Sequence, residues 1–123
     1  MLAAAAASLA LSLPAAATAE MYCEGAGGHV AINMGRLVVL NVLGATAEIG
    51  GVTYSTGPER GKGTPFVVGQ DFAEGDNLMI DFVDPDVVEI LVSLRVQWDA
   101  TDQQWSGTLY NEVDRVEVSC VAG

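Results

Sequence analysis

Beyond Glu20 the apolar residues recur with period two, and no stretch carries the 3.6-residue period of a helix. The clearest run is Val88 to Trp98. Val88, Ile90, Val92, Leu94, Val96 and Trp98 share one face, while Glu89, Ser93, Arg95 and Gln97 share the other. A strand sends successive side chains to opposite faces, so this run predicts a half-buried strand with its apolar set turned into a core. Leu91 is its one apolar residue out of phase. The same alternation marks Val30-Ile32-Met34, Leu78-Ile80-Phe82 with Asp81 opposite, and Val116-Val118-Cys120 with Arg115, Glu117 and Ser119 opposite. Leu37 to Leu43 is apolar on both faces and predicts a doubly covered or central strand. Trp105 to Tyr110 reads as a strand with a bulge or close approach at Gly107.

Turn residues separate the runs. Gly50-Gly51 between Ala47-Glu48-Ile49 and Val52-Thr53-Tyr54 is a two-residue hairpin loop of the kind that needs positive φ. Gly35-Arg36, Glu74-Gly75-Asp76-Asn77, Asp84-Pro85-Asp86 and Asp99-Ala100-Thr101-Asp102 supply further turns, and the longest loop, Thr56 to Pro65, holds Gly57, Pro58, Gly61 and Gly63. Together these features predict an all-β domain, a small antiparallel meander barrel or sandwich of about eight strands. Strict meander alternation sends Gly50-Gly51, Asp71–Asn77 and Asp99–Gln103 to one end. It sends Gly35-Arg36, Thr56–Thr64, Asp84–Asp86 and Asn111–Asp114 to the other.

Charge then sorts the surface. The chain has 16 acidic and 5 basic residues, a net charge of −11, and every charged side chain lies beyond Ala19. Such a surface repels phosphate backbones and anionic head groups, which argues against nucleic acid and anionic membranes and leaves basic partners, multivalent cations or plain solubility. The first predicted end gathers Asp71, Glu74, Asp76, Asp99 and Asp102, a candidate Ca²⁺ site built from loop carboxylates, although no EF-hand spacing is present. The second end gathers Asp84, Asp86, Glu112 and Asp114 with Arg36, Glu59, Arg60 and Lys62. Its glycine-rich loop offers Arg60 and Lys62 as candidate binding residues.

The first segment reads as a cleavable export signal over residues 1–19, followed by one domain over 20–123. Leu2 to Leu13 is apolar and uncharged, Pro14 breaks it, and Ala17-Thr18-Ala19 is a small-x-small cleavage pattern. The apolar run is too short to span a membrane. Export suits the two cysteines. Cys23 and Cys120 form the one possible pair, and neither sits in a C-x-x-C arrangement. A disulfide between them closes nearly the whole domain, a loop that stabilises by about 4 to 5 kcal/mol in the chain-entropy view. It also requires the first and last strands to be neighbours.

No catalytic set stands out. His29 is the only histidine, and no serine has a G-x-S-x-G context. Paired carboxylates of the glycosidase kind need a cleft that a domain this small has little room for. The chain therefore reads as a non-enzyme. Trp98 and Trp105 flank the Asp99–Gln104 turn and predict a cross-strand aromatic pair on the inward face.

The layout loosely resembles the periplasmic inhibitors of c-type lysozyme. Tyr22-Cys23 after the signal, Cys120 near the end and the acidic balance carry the resemblance. It implies an exported barrel that binds a very basic enzyme. That family's serine-glycine-x-x-tyrosine segment is echoed only by Gly51-Val52-Thr53-Tyr54, with Gly50 in the serine's place, so no site residues carry over. The function expected is a periplasmic or secreted binding or inhibitor-like module acting through loops at one end of a rigid barrel. The alternatives are an acidic, Ca²⁺-stabilised envelope protein and an inhibitor of a basic lytic enzyme such as c-type lysozyme.

Overall fold

A computed structural model of the chain describes residues 18–36 and 40–122. Every regular element among the described residues is a strand: β1 (Thr18–Gly25), β2 (Gly28–Arg36), β3 (Leu40–Ile49), β4 (Val52–Ser55), β5 (Thr64–Pro65), β6 (Val67–Glu74), β7 (Asn77–Val83), β8 (Ile90–Asp99), β9 (Gln104–Tyr110) and β10 (Arg115–Ala122). They form one sheet in the order β5-β4-β3-β2-β1-β10-β9-β8-β7-β6. Each neighbouring pair is antiparallel except β4 and β5.

The sheet curls into a nearly closed barrel. β4 pairs only with residues 46–49 of β3, so the other half of β3 faces β6. Side chains finish the seam there. The Val42 amide donates to Asp71 Oδ2 at 3.4 Å, and the Ala45 amide donates to Thr56 Oγ1 at 3.0 Å. Strand edges with unpaired backbone groups are a liability, and these bonds cover part of one.

The strand count is ten rather than about eight. β1, β5 and β6 are additional, and the separate runs ending at Leu43 and beginning at Ala47 are one strand, β3. A bulge explains why the run to Leu43 is apolar on both faces. Asn33 pairs with Gly44 and Met34 with Val42, so Leu43 is the extra residue. The bulge turns Val42 toward the core and leaves Leu43 48% exposed, so residues 41–43 of this run are not doubly covered. Residues 37–39 of that prediction lie outside the described residues, as do residues 1–17 of the predicted leader; Thr18 and Ala19 pair with Gly35 and Met34 within β1.

The alternate residues of the strands fill the barrel. Ile32, Ile49, Ile80, Phe82, Val92, Leu94, Val96 and Leu109 are buried. Tyr54, Phe66 and Phe82 stack in a row with ring centroids 5.5 and 4.3 Å apart. Cys23 and Cys120 are directly opposed on β1 and β10 and joined by a disulfide, with their Cα atoms 3.9 Å apart. The terminal strands are therefore neighbours, as the cysteine pair required. This is the bond of an oxidising environment. No helix among the described residues is long and apolar enough to cross a membrane.

The two ends differ from those that strict alternation predicts. The upper end holds the turns at 26–27, 50–51, 84–89 and 111–114; the Gly50 amide donates to the Gly27 carbonyl at 3.0 Å. The lower end holds the turns at 75–76 and 100–103 together with Gly35 and Arg36. Gly50-Gly51 and Gly35-Arg36 have thus exchanged places. The cause is the glycine-rich connection. β5 runs parallel to β4 and leads straight into β6, so residues 56–63 loop out without reversing the chain. Every turn before that loop is out of phase with every turn after it.

Candidate binding surface

The carboxylates expected at one end are dispersed. The 75–76 turn does lie against the end of β8 that leads into the 100–103 turn, since the Trp98 amide donates to the Asp76 carbonyl at 2.8 Å. Asp71, however, sits on β6 rather than in a loop and is engaged by the Val42 amide. Asp99 Oδ1 accepts from the amides of Thr101 and Asp102 at 2.9 and 3.3 Å, a local turn bond. Glu74, Asp76 and Asp102 are exposed. Among the described residues no three acidic, histidine or cysteine side chains converge on a point that would hold a metal ion.

Arg60 and Lys62 also part company. The glycine-rich loop folds back along the outer wall of the barrel instead of standing at an end. Arg60 lies over Gly44, in a depression of about 220 Å³ shared with Glu20, Asn33 and Glu59. A Cβ at Gly44 would overlap the guanidinium, so the glycine at the β3 bulge is what seats Arg60. Lys62 lines a different hollow of about 390 Å³ with Thr56, Pro58 and Pro65. His29 packs against Tyr22 with ring centroids 5.9 Å apart. Trp98 and Trp105 are register partners and meet edge to face at 5.8 Å; Trp98 sits at the rim, 36% exposed, rather than inside.

The surface that departs most from a solvated β protein is the upper end of β7 to β10. Asp84 organises residues 84–89. Its Oδ1 accepts the amides of Glu89 at 2.7 Å and Val88 at 2.8 Å, and its Oδ2 accepts that of Asp86 at 3.1 Å. The bond from Glu89, with those from Val88 and Asp86, holds the Asp84 carboxyl below its ordinary value against a smaller opposing effect of burial. Asn111 plays the same part across the groove. Its Oδ1 accepts from Val113 at 3.0 Å and Asp114 at 2.7 Å, and its Nδ2 donates to the Tyr54 hydroxyl at 3.1 Å. The amides of Asp86 to Glu89, and those of Val113 and Asp114, are thereby bonded within their own loops, and the apolar side chains are left outward. Val87 is 69%, Val88 81% and Val113 84% exposed, with Ile90 about half exposed.

The polar network beneath these loops fixes the wall. Asp81 points to the outer face of β7 yet is buried. Arg95 Nη2 stands 2.9 Å from its Oδ1 and 3.2 Å from its Oδ2, and Gln70 Nε2 donates to Oδ2 at 2.6 Å. Burial works to raise the Asp81 pKa, but hydrogen bonds from Ser93, Gln70 and Arg95 and the Arg95 charge outweigh it and lower it. Beside this network a groove of about 260 Å³ runs between Ile90, Leu91, Arg95, Tyr110, Asn111 and Glu112. Arg115 stacks on Tyr110, 4.5 Å from the ring centre.

Periodicity alone placed Val88 and Ile90 inside. Val83 pairs with Ile90 but Phe82 pairs with Val92, so Leu91 is a bulge residue and the strand begins at Ile90. Only Val92, Leu94 and Val96 of the six are buried. The out-of-phase Leu91 was the sequence signal of that bulge. Comparison with protein-family models, with curated proteins and with solved structures found no match to this chain.

Proposed function

We propose that this chain is an exported, non-enzymatic binding module of the periplasm or cell exterior. It engages a protein partner through the upper end of the barrel, with the loops of residues 84–90 and 111–114 flanking the Tyr110 groove. The observation that carries the reading is the exposed Val87-Val88-Ile90 segment on a loop whose amides from Asp86 to Glu89 are already bonded within it. Isolated exposed apolar residues are ordinary, but a cluster on an ordered loop beside a groove marks an interaction site. Tyrosine and arginine, the residue types that dominate binding hot spots, line that groove. Of the carboxylates around it, Glu112 stands exposed on its rim, and Asp84 and Asp81 are occupied by loop amides and by Arg95, which suits holding a partner better than proton transfer. The leader-like residues 1–19 and the disulfide support export.

The test is capture from an envelope extract by immobilised, oxidised protein, alongside Tyr110→Ala and Val88→Asp variants of unchanged circular dichroism. A saturable partner retained by the native protein and lost by both variants is the expected result. A partner retained by both variants would move the site elsewhere. Binding and inhibition of a c-type lysozyme belong in the same set of assays.

A further inference from the structure

We infer that Val87 and Val88 are the anchor of this surface, and that the anchor fits an apolar depression ringed by lysine and arginine side chains on a protein partner. The inference rests on the binding reading above and specifies its chemistry.

Backbone conformation is the first argument. Val87 has φ of 58°, in the left-handed region. A β-branched side chain there is a genuine outlier, because its branch crowds the adjacent carbonyl. The chain uses glycine for this conformation at Gly27, Gly50, Gly51 and Gly75. Gln103, which is unbranched at Cβ, is the other non-glycine example among the described residues. Glycine at position 87 would make the same turn more easily. Valine there adds nothing to the core, since its side chain is 69% exposed. A residue that strains the backbone while its side chain stands mostly in solvent is explained by contact with something outside its own chain.

Charge chooses the occupant. Asp86, Glu89, Glu112 and Asp114 are all exposed in the same two loops. Arg95 is ion-paired to Asp81, and Arg115 lies on Tyr110. Four exposed carboxylates thus face one exposed guanidinium, that of Arg115, and the rim of the apolar tip is net acidic. A second copy of a chain with net charge −11 is repelled, and so is an anionic membrane. A cationic rim around an apolar hollow matches both parts of the surface. Such pairing also speeds encounter, in a way that salt suppresses.

The experiment uses the purified oxidised protein labelled with 15N and three probes: an amphipathic leucine/lysine peptide, a leucine/glutamate peptide of equal apolar content, and phosphatidylcholine vesicles. The expected result is saturable shifts of the amides of residues 84–91 and 110–114 with the leucine/lysine peptide alone, weakened at higher salt. Val88→Ser should weaken that binding by at least about five-fold, in line with the loss of one well-covered aliphatic side chain. Val87→Gly should weaken it similarly while raising the melting temperature by about 4 °C, a pairing that a purely structural valine would not give. Equal binding of the two peptides, shifts with the vesicles, or concentration-dependent shifts without a probe would overturn the inference. So would binding that Lys62→Ala weakens and Val88→Ser does not. If the envelope partner is lost on Val88→Asp but proves acidic, the upper end stands as the site and the cationic occupant falls.

Discussion

Arg95→Met offers the sharpest test of how the outer wall is held. The substitution keeps most of the aliphatic stem and removes the guanidinium from a carboxylate that is only 3% exposed. Breaking a buried ion pair from one side costs about 3 to 5 kcal/mol, because the remaining charge is left in a poor solvent. Two features reduce that here. The Arg95 side chain is itself 33% exposed, so water already screens part of the attraction. Asp81 also keeps Gln70 at 2.6 Å and its Ser93 bond. The expected loss is about 2 to 3 kcal/mol. The Arg95→Met/Asp81→Asn double variant should cost about 1 to 2 kcal/mol less than the two single changes added together. Urea unfolding followed by the Trp98 and Trp105 fluorescence reads all four species. The pH dependence has a fixed sign. The Asp81 pKa is lowered from 3.8, so its contribution is complete above that value and is lost as pH falls through the lower native one. Arg95→Met should flatten this acid limb. A loss below about 0.5 kcal/mol, or strict additivity, would refute the idea that Asp81 depends on Arg95.

Other predictions follow from separate parts of the barrel. Cys23→Ser/Cys120→Ser should lower stability by about 4 to 5 kcal/mol, the value for closing a loop of this length, as measured in urea; a loss under about 1 kcal/mol would mean that the unfolded chain is already constrained. Gly107→Ala should prevent close pairing of β8 and β9, since the new Cβ would overlap the Arg95 carbonyl oxygen; native-like near-UV circular dichroism would contradict this. Tyr54→Phe removes the hydroxyl that Asn111 bonds and should cost about 1 kcal/mol, with increased amide exchange in residues 111–114 as the local readout. Millimolar Ca²⁺ should leave the melting temperature unchanged, because the acidic side chains of the lower end do not converge; a rise of several degrees would reinstate a metal site there.

The sequence carried the all-β class, the hairpins and the disulfide because each depends on short-range or forced information. Period two fixes a face, Gly50-Gly51 fixes a turn, and two cysteines have one pairing. What escaped it was long-range. β6 reads weakly because Gly69, Gln70 and Asp71 interrupt it, yet it is held by pairing with β7. The exchange of ends came from β5, a two-residue strand whose direction no local pattern encodes. The upper-end surface escaped for a related reason. A single bulge at Leu91 inverts what alternation says of Val88 and Ile90, and the positive φ of Val87 follows from the Asp84 network rather than from any preference of valine. The acidic cluster at the lower end looked coherent in sequence because proximity of turns is not convergence of side chains.

The non-reversing loop of residues 56–63 divides the barrel into two meanders of neighbouring hairpins, β1 to β4 and β6 to β10, and the disulfide ties the outer ends of those halves together. Residues 23 to 120 thus form a covalent ring, closed by the bond between β1 and β10. A protease that cuts once within this exposed glycine-rich stretch would produce two polypeptides that still migrate as one species until a reductant is added. The same geometry makes the stretch a natural position for new chain ends. A circular permutant that joins the end of β10 to the start of β1 and opens between Gly57 and Gly63 would keep every hairpin intact, and each half would still find its partner strands close by in sequence.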